Sequence, residues 1–176
     1  MNELQGRVRP RALAAPIAHA LGTAPVVVLT GARQTGKSTL ATSAPIAEGR
    51  TYRTLDDPDV LAQASDDPAG LVASAPRLTL DEIQRAPDLL LAIKRAVDMR
   101  RTPGRFLLTG SANLLLMQRV AESLAGRATY FTLWPLTHGE QRGLGATGRW
   151  TTFFDTPRDA WPDALVGDRG MAPSDW

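Results

Sequence analysis

The stretch Val26-Val27-Val28-Leu29-Thr30-Gly31-Ala32-Arg33-Gln34-Thr35-Gly36-Lys37-Ser38-Thr39-Leu40 decides how this chain is read. Its first four residues are wholly apolar and mostly β-branched, which suits a strand buried on both faces of a parallel sheet. Gly31 to Ser38 then fit G-x-x-x-x-G-K-S. The two glycines let the backbone curl so that several N–H groups point into one concavity, a shape that attracts an anion. That concavity opens onto a helix expected from Lys37 to Ser43 and cut short by Pro45, whose unpaired N–H groups and dipole also favour negative charge. Lys37 supplies a mobile point charge for the outer phosphates of a nucleotide, and the Ser38 hydroxyl is placed to ligate Mg²⁺. The binding residues expected from the motif are Gly31, Ala32, Arg33, Gln34, Thr35, Gly36, Lys37, Ser38 and Thr39. A simple Gly-rich turn would not require Lys37 and Ser38 together.

Some 45 residues on, Leu78-Thr79-Leu80-Asp81-Glu82 is an apolar strand ending in two carboxylates. Alone, such a pair is usually a solvated turn. Behind a phosphate-binding loop, with strand, helix and strand between, the two acids divide two jobs. Asp81 supports the metal shell, and Glu82 polarises a water for attack on the terminal phosphate. Ile83-Gln84 keeps the following loop partly apolar. Phe106-Leu107-Leu108-Thr109-Gly110-Ser111 ends the next strand in small polar residues. Ser111 either caps the following helix or orients the attacking water, and Thr109 and Asn113 compete with it for that sensing role. Arg127 follows a helix and precedes a strand, so it is either a solvated side chain or reaches the phosphates of a neighbouring subunit. Arg33 is a further candidate contact with phosphate or a partner.

The rest of the chain supports a strand–helix alternation. Ala12 to Leu21 read as a short lead-in helix, and Thr51 to Leu55 as the second strand. Asp57-Pro58 and Asp67-Pro68 each place a capping Asp before a Pro at the first helical position, announcing helices over 58–65 and 68–74. Pro87 opens a helix with Leu89, Ile93 and Val97 on one face, Asp88 at its positive end and Arg100 and Arg101 at its negative end. A helix over 112–124 carries Leu114, Met117, Ala121 and Leu124 on one stripe, with Gly126 beyond its end. Ala128 to Leu133 form the fifth strand. This pattern predicts an α/β fold, a parallel sheet covered on both faces. Residues 1–24 read as a lead-in, 25–140 as the core, and 141–176, which are Gly- and Pro-rich and hold Trp150, Trp161 and Trp176, as an irregular tail or linker.

Composition narrows the function. The 176 residues suit one domain. With no Cys, a disulfide scaffold, a thiolate zinc site and a Cys nucleophile are excluded. His19 and His138 lie far apart, without metal-ligand spacing. The net charge of +2 points to neither a nucleic-acid nor a membrane surface, and no apolar run approaches the roughly 18 residues of a membrane span. The start lacks a secretory stretch, so a cytoplasmic protein is expected.

Leu29 to Leu40, Leu80-Asp81-Glu82-Ile83-Gln84, Phe106 to Ala112, Leu124-Ala125-Gly126-Arg127 and Pro135-Leu136 with Glu140 together resemble the prokaryotic AAA-superfamily ATP-binding proteins. These pair a compact ATPase core with a C-terminal domain. The Arg-Gln within the phosphate loop and the Gln after Asp-Glu are the specific marks, and Leu55-Asp56-Asp57-Pro58 also fits. The likeness covers residues 7–140. It implies a three-layer P-loop NTPase fold with a five-stranded parallel sheet in the AAA order, and ATP with Mg²⁺ as ligands. It implies Lys37, Glu82, Ser111 and Arg127 as catalytic residues, and Ser38 and Asp81 as metal ligands. Family members are roughly twice this length, so the chain reads as a truncated or core-only copy. The expected activity is ATP hydrolysis coupled to conformational change in a partner or an attached domain, and the expected associations are a homo-oligomer or a partner protein. An ATP-bound switch with little turnover is the alternative. A small-molecule kinase needs an acceptor pocket and an Arg-bearing lid, and fits Asp81-Glu82 less well. The absence of an Asn-Lys-x-Asp signature sets guanine aside.

Overall fold

The computed structural model describes residues 9–111, 122–141 and 157–160. In chain order they form α1 (Ala14–Thr23), β1 (Val26–Gly31), α2 (Lys37–Ala41), β2 (Thr51–Thr54), α3 (Pro58–Asp66), α4 (Pro68–Ala73), β3 (Leu78–Asp81), α5 (Leu89–Met99), β4 (Phe106–Ser111), β5 (Ala128–Leu133) and α6 (His138–Gln141). Single 3₁₀ turns cover Ile83–Arg85 and Arg158–Ala160. The expected helix over 112–124 lies mostly outside the described residues, as do Asn113, Trp150, Trp161 and Trp176.

The five strands make one sheet in the order β2-β3-β4-β1-β5, and every pairing is parallel. Side chains alternate across a strand, so adjacent residues face opposite layers. Val26, Val28, Phe106, Leu108, Leu78 and Leu80 pack with α3, α4 and α5 residues such as Ala64, Leu71, Val72, Ile93 and Val97. Val27, Leu29, Leu107 and Leu133 pack on the other side with Ile17 and Ala20 of α1 and Leu40 and Ala41 of α2. The sheet is the middle of three layers, and β1 is buried along its whole length, as its unbroken apolar run requires.

Local chemistry sets the element boundaries. Asp57 accepts a hydrogen bond from the Asp59 N–H at 2.9 Å, and Asp67 one from the Gly70 N–H at 2.8 Å, each with Pro at the first helical turn. The polar end of β4 stays in the sheet as far as Ser111, because Thr30 pairs with Gly110 and Gly31 with Ser111. Arg50 staples the opposite edge of the sheet. Its guanidinium donates to Thr79 Oγ1 (3.0 Å), to the Leu78 carbonyl (2.7 Å) and to the Gly104 carbonyl. Burial, and secondarily the nearby Arg77 charge, lower its pKa to about 10.

Candidate functional site

In a parallel sheet the carboxyl ends of neighbouring strands lie along one edge, and ligands bind there. Here that edge carries Gly31 of β1, Asp81 of β3 and Ser111 of β4. The loop Gly31–Ser38 leaves β1 and turns directly into α2, whose N-cap is Gly36 at φ +88°. A Cβ there would be strained whatever the space around it. Gly31 is demanded by a close approach, since a Cβ on it would stand 2.3 Å from the Leu133 carbonyl oxygen at the end of β5. Gln34 (φ +63°) and Glu82 (φ +59°) also hold left-handed backbone conformations, and both lie at this edge. Non-Gly residues in that region cost of order 1–3 kcal/mol and concentrate at functional sites.

Lys37 is buried. Its ammonium donates to the Gly31 carbonyl at 3.1 Å and to the Ala32 carbonyl at 2.8 Å, spanning the loop from inside. The Ser38 hydroxyl donates to Asp81 Oδ2 at 2.7 Å, joining loop and β3 across 43 positions of sequence. The Tyr52 hydroxyl from β2 donates to the same oxygen at 2.5 Å, and the Thr109 hydroxyl from β4 donates to Oδ1. Burial, and then the bonded Asp81 carboxylate, raise the Tyr52 pKa, so the phenol stays a donor. Glu82 is half-buried and accepts from the side-chain amide of Gln84. The Gln84 oxygen in turn accepts the Ser111 N–H at 3.3 Å. Arg33 and Thr39 are exposed.

The sequence-derived residues therefore divide into two places. Lys37, Ser38, Asp81, Glu82 and Ser111 come together, and Thr109 donates to Asp81. Arg127 does not join them. It precedes β5, whose Ala128 pairs with Val26, while Leu133 at the other end pairs with Gly31. At about 3.3 Å per residue the strand puts roughly 16 Å between those ends. There Arg127 is bidentate to Asp98, at 2.6 and 2.9 Å, and this lowers the Asp98 pKa.

Four residues at or beside the site were not singled out for it by sequence. Tyr52 and Gln84 are two. The others are Arg11 and Glu140, a buried ion pair at 3.1 Å that joins the chain before α1 to α6. Arg11 also donates to the Thr35 carbonyl of the loop (2.6 Å) and to the Trp134 carbonyl (2.5 Å). Glu140 accepts from the backbone N–H groups of Ala12 and Thr137, each at 2.8 Å. Burial opposes its ionisation, but those two N–H groups and Arg11 outweigh it, and its pKa lies below the ordinary 4.5. Gln84 and Glu140 stood in the sequence only as marks of the family resemblance, and the polar surroundings of Arg11 and Glu140 gave no sign that either charge is buried. Beside the loop, a cleft of about 730 Å³ is walled by Pro10, Ala14, Leu40, Pro45, Pro135 and Leu136. Among the described residues no helix is long and apolar enough to cross a membrane.

A parallel three-layer sheet with this strand order, carrying G-x-x-x-x-G-K-S between β1 and α2, defines a P-loop NTPase of the AAA type. Solved structures share the fold. A DNA replication initiation factor superposes with a TM-score of 0.52 at 13% identity, covering 88% of this chain and 54% of the other. A Walker-type ATPase of Pyrococcus abyssi gives 0.52 at 15% identity, covering 91% and 66%. A model of the AAA_14 family, an AAA domain, matches residues 23–141, and the chain belongs to that family. Uncharacterized proteins of Mycobacterium bovis and Mycobacterium tuberculosis are each 35% identical over 143 residues, 81% of this chain. The chain spans about a third of the length of these curated relatives, 32% of each.

Proposed function

We propose that the chain binds ATP with Mg²⁺ at the Gly31–Ser38 loop and hydrolyses it, driving conformational change in an attached or partner protein. The observation that carries this reading is the Ser38–Asp81 contact at 2.7 Å, which sets a hydroxyl and a carboxylate side by side where the loop meets β3. Hard oxygen donors of this kind suit Mg²⁺, which takes one or two carboxylates and completes its shell with water and phosphate. Ser38 and Asp81 would hold the ion, which when bound neutralises charge building on the phosphates. The Gly31–Thr39 backbone cradles the phosphates, Lys37 exchanges the Gly31 and Ala32 carbonyls for phosphate oxygens, and the apolar cleft beside the loop takes the base. Glu82 accepts a proton from water as that water's oxygen bonds to the terminal phosphorus and the bond to the departing ADP oxygen breaks. Ser111 and Thr109 line the strand end beside it.

A second reading, a nucleotide-bound switch with little turnover, is favoured by one feature: the Glu82 carboxylate is engaged by Gln84. The test separates the two. Lys37→Ala should lose Mg-ATP affinity by at least tenfold in titration calorimetry. Glu82→Gln should retain that affinity and lose at least 100-fold in phosphate release. Wild-type protein that binds Mg-ATP but releases no phosphate at any concentration makes the switch reading correct. A Glu82→Gln variant that hydrolyses normally removes Glu82 from the chemistry.

A further inference from the structure

Arg11 is a charged residue whose contacts no catalytic step uses. It is 8% exposed, and its guanidinium is spread over three acceptors in three segments: Nε to Glu140 at 3.1 Å, one terminal nitrogen to the Thr35 carbonyl at 2.6 Å, and the other to the Trp134 carbonyl at 2.5 Å. Glu140, itself 4% exposed, is held in turn by Ala12 and Thr137. The whole clasp is anchored outside the loop and touches the loop at one atom, the Thr35 carbonyl oxygen.

That atom matters because a peptide unit is planar and trans, so its N–H points opposite to its C=O. The Thr35 carbonyl shares its plane with the Gly36 N–H. Glycine at 36, with φ +88°, has the freest backbone in the loop, and its peptide would otherwise flip at little cost. Fixing the carbonyl toward Arg11 fixes the Gly36 N–H away from it. The neighbouring Thr35 hydroxyl is already committed to the Ala32 carbonyl at 3.0 Å, so it cannot substitute.

We propose that Arg11, buttressed by Glu140, is a positioning residue for the phosphate loop: it clamps the Thr35–Gly36 peptide so that the Gly36 N–H is presented to a bound di- or triphosphate. This rests on the reading that the loop binds nucleotide. The planar fork is what the role needs, since the three acceptors are met by three separate nitrogens, whereas the three donors of an ammonium all radiate from one.

The experiment measures Mg-ADP and Mg-pyrophosphate affinity by calorimetry in the full chain and in Arg11→Lys, Arg11→Gln and Glu140→Gln. Far-UV circular dichroism and a thermal melt establish the folded fraction of each. Arg11→Lys, which keeps the charge, and Arg11→Gln should each weaken both probes by about tenfold at temperatures where the variant is fully folded. The equal loss on pyrophosphate identifies a phosphate-side effect, and the loss in Arg11→Lys excludes simple charge attraction. Glu140→Gln, the milder change, keeps an acceptor for Ala12 and should weaken both probes about threefold. It decides the matter if the Arg11 variants do not fold. Folded variants that bind both probes within twofold of wild type overturn the proposal. So does a loss confined to Mg-ADP, which would put Arg11 on the base cleft instead. Wild-type protein that binds neither probe overturns the nucleotide reading itself, an outcome distinct from either.

Discussion

At the scale of single residues, one carboxylate organises the site and another closes the domain. Asp81 receives hydroxyls from three segments, Ser38 of the loop, Tyr52 of β2 and Thr109 of β4, so both its oxygens have fixed directions. A carboxylate held this way cannot swing, which suits the metal-holding role proposed for it. Glu140 is held as tightly, and its environment has a measurable consequence. Its folded pKa lies below the ordinary 4.5, so its contribution to stability is complete above that value and is lost as pH falls through the folded pKa. Urea midpoints of the wild type should therefore fall in the acid window that opens below 4.5. Glu140→Gln, already less stable at pH 7, should show a shallower fall across that window. Parallel pH profiles for the two proteins would contradict this assignment. Sequence reading reached Lys37, Ser38, Asp81 and Glu82 because their meaning is carried by neighbours within one loop or one strand. It did not reach the Arg11–Glu140 pair, whose members stand 129 positions apart, or Tyr52, which meets Asp81 across 29. Such contacts exist only once the sheet order brings their elements together.

At the scale of elements, the strands were legible wherever both faces are apolar. Val26 to Leu29 and Phe106 to Leu108 announce themselves by hydrophobic runs, while the last turns of β1 and β4 do not. Gly31, Gly110 and Ser111 have weak strand preference, and backbone pairing between β1 and β4 carries them. The helices that follow Asp-Pro were legible because capping chemistry is local. Asp67 caps α4, a helix of six residues with little length to stabilise itself. Replacing Asp67 by Ala leaves the Gly70 N–H without its 2.8 Å partner and should cost about 1 kcal/mol in equilibrium denaturation. Asp67→Asn, which keeps a side-chain oxygen, should recover most of the loss. On α5 the stripe read from sequence is the buried one: Ile93 is fully enclosed between Val97, Leu89 and the sheet. Ile93→Ala should cost about 2–5 kcal/mol through lost burial and the cavity left behind. An unchanged denaturation midpoint for either change would mean that the element is held by something other than its cap or its core face.

At the scale of the whole molecule, the parallel sheet has two edges with different contents. The carboxyl edge holds the phosphate loop, Asp81, Glu82 and Ser111, and the amino edge holds Arg127 in its exposed pair with Asp98. About 16 Å of strand separates Arg127 from Gly31 in one chain, far beyond the reach of a side chain, so Arg127 can act on a phosphate only in a second copy. Its bond to Asp98 would have to yield to the stronger charge of a triphosphate. Both partners are solvent-accessible, and exposed ion pairs are weak, so the exchange is not costly. If Arg127 acts in trans, turnover per chain must rise with protein concentration, because each added neighbour completes a site. An arginine supplied to a transferring phosphoryl group is worth roughly 10³–10⁵ in rate. Across a dilution series, phosphate release per chain should rise steeply in the wild type and stay flat in Arg127→Ala, while both bind Mg-ATP equally. A rate per chain independent of concentration in the wild type, or an equal rise in Arg127→Ala, would return Arg127 to the role its present partner gives it, a surface tie between β5 and the end of α5.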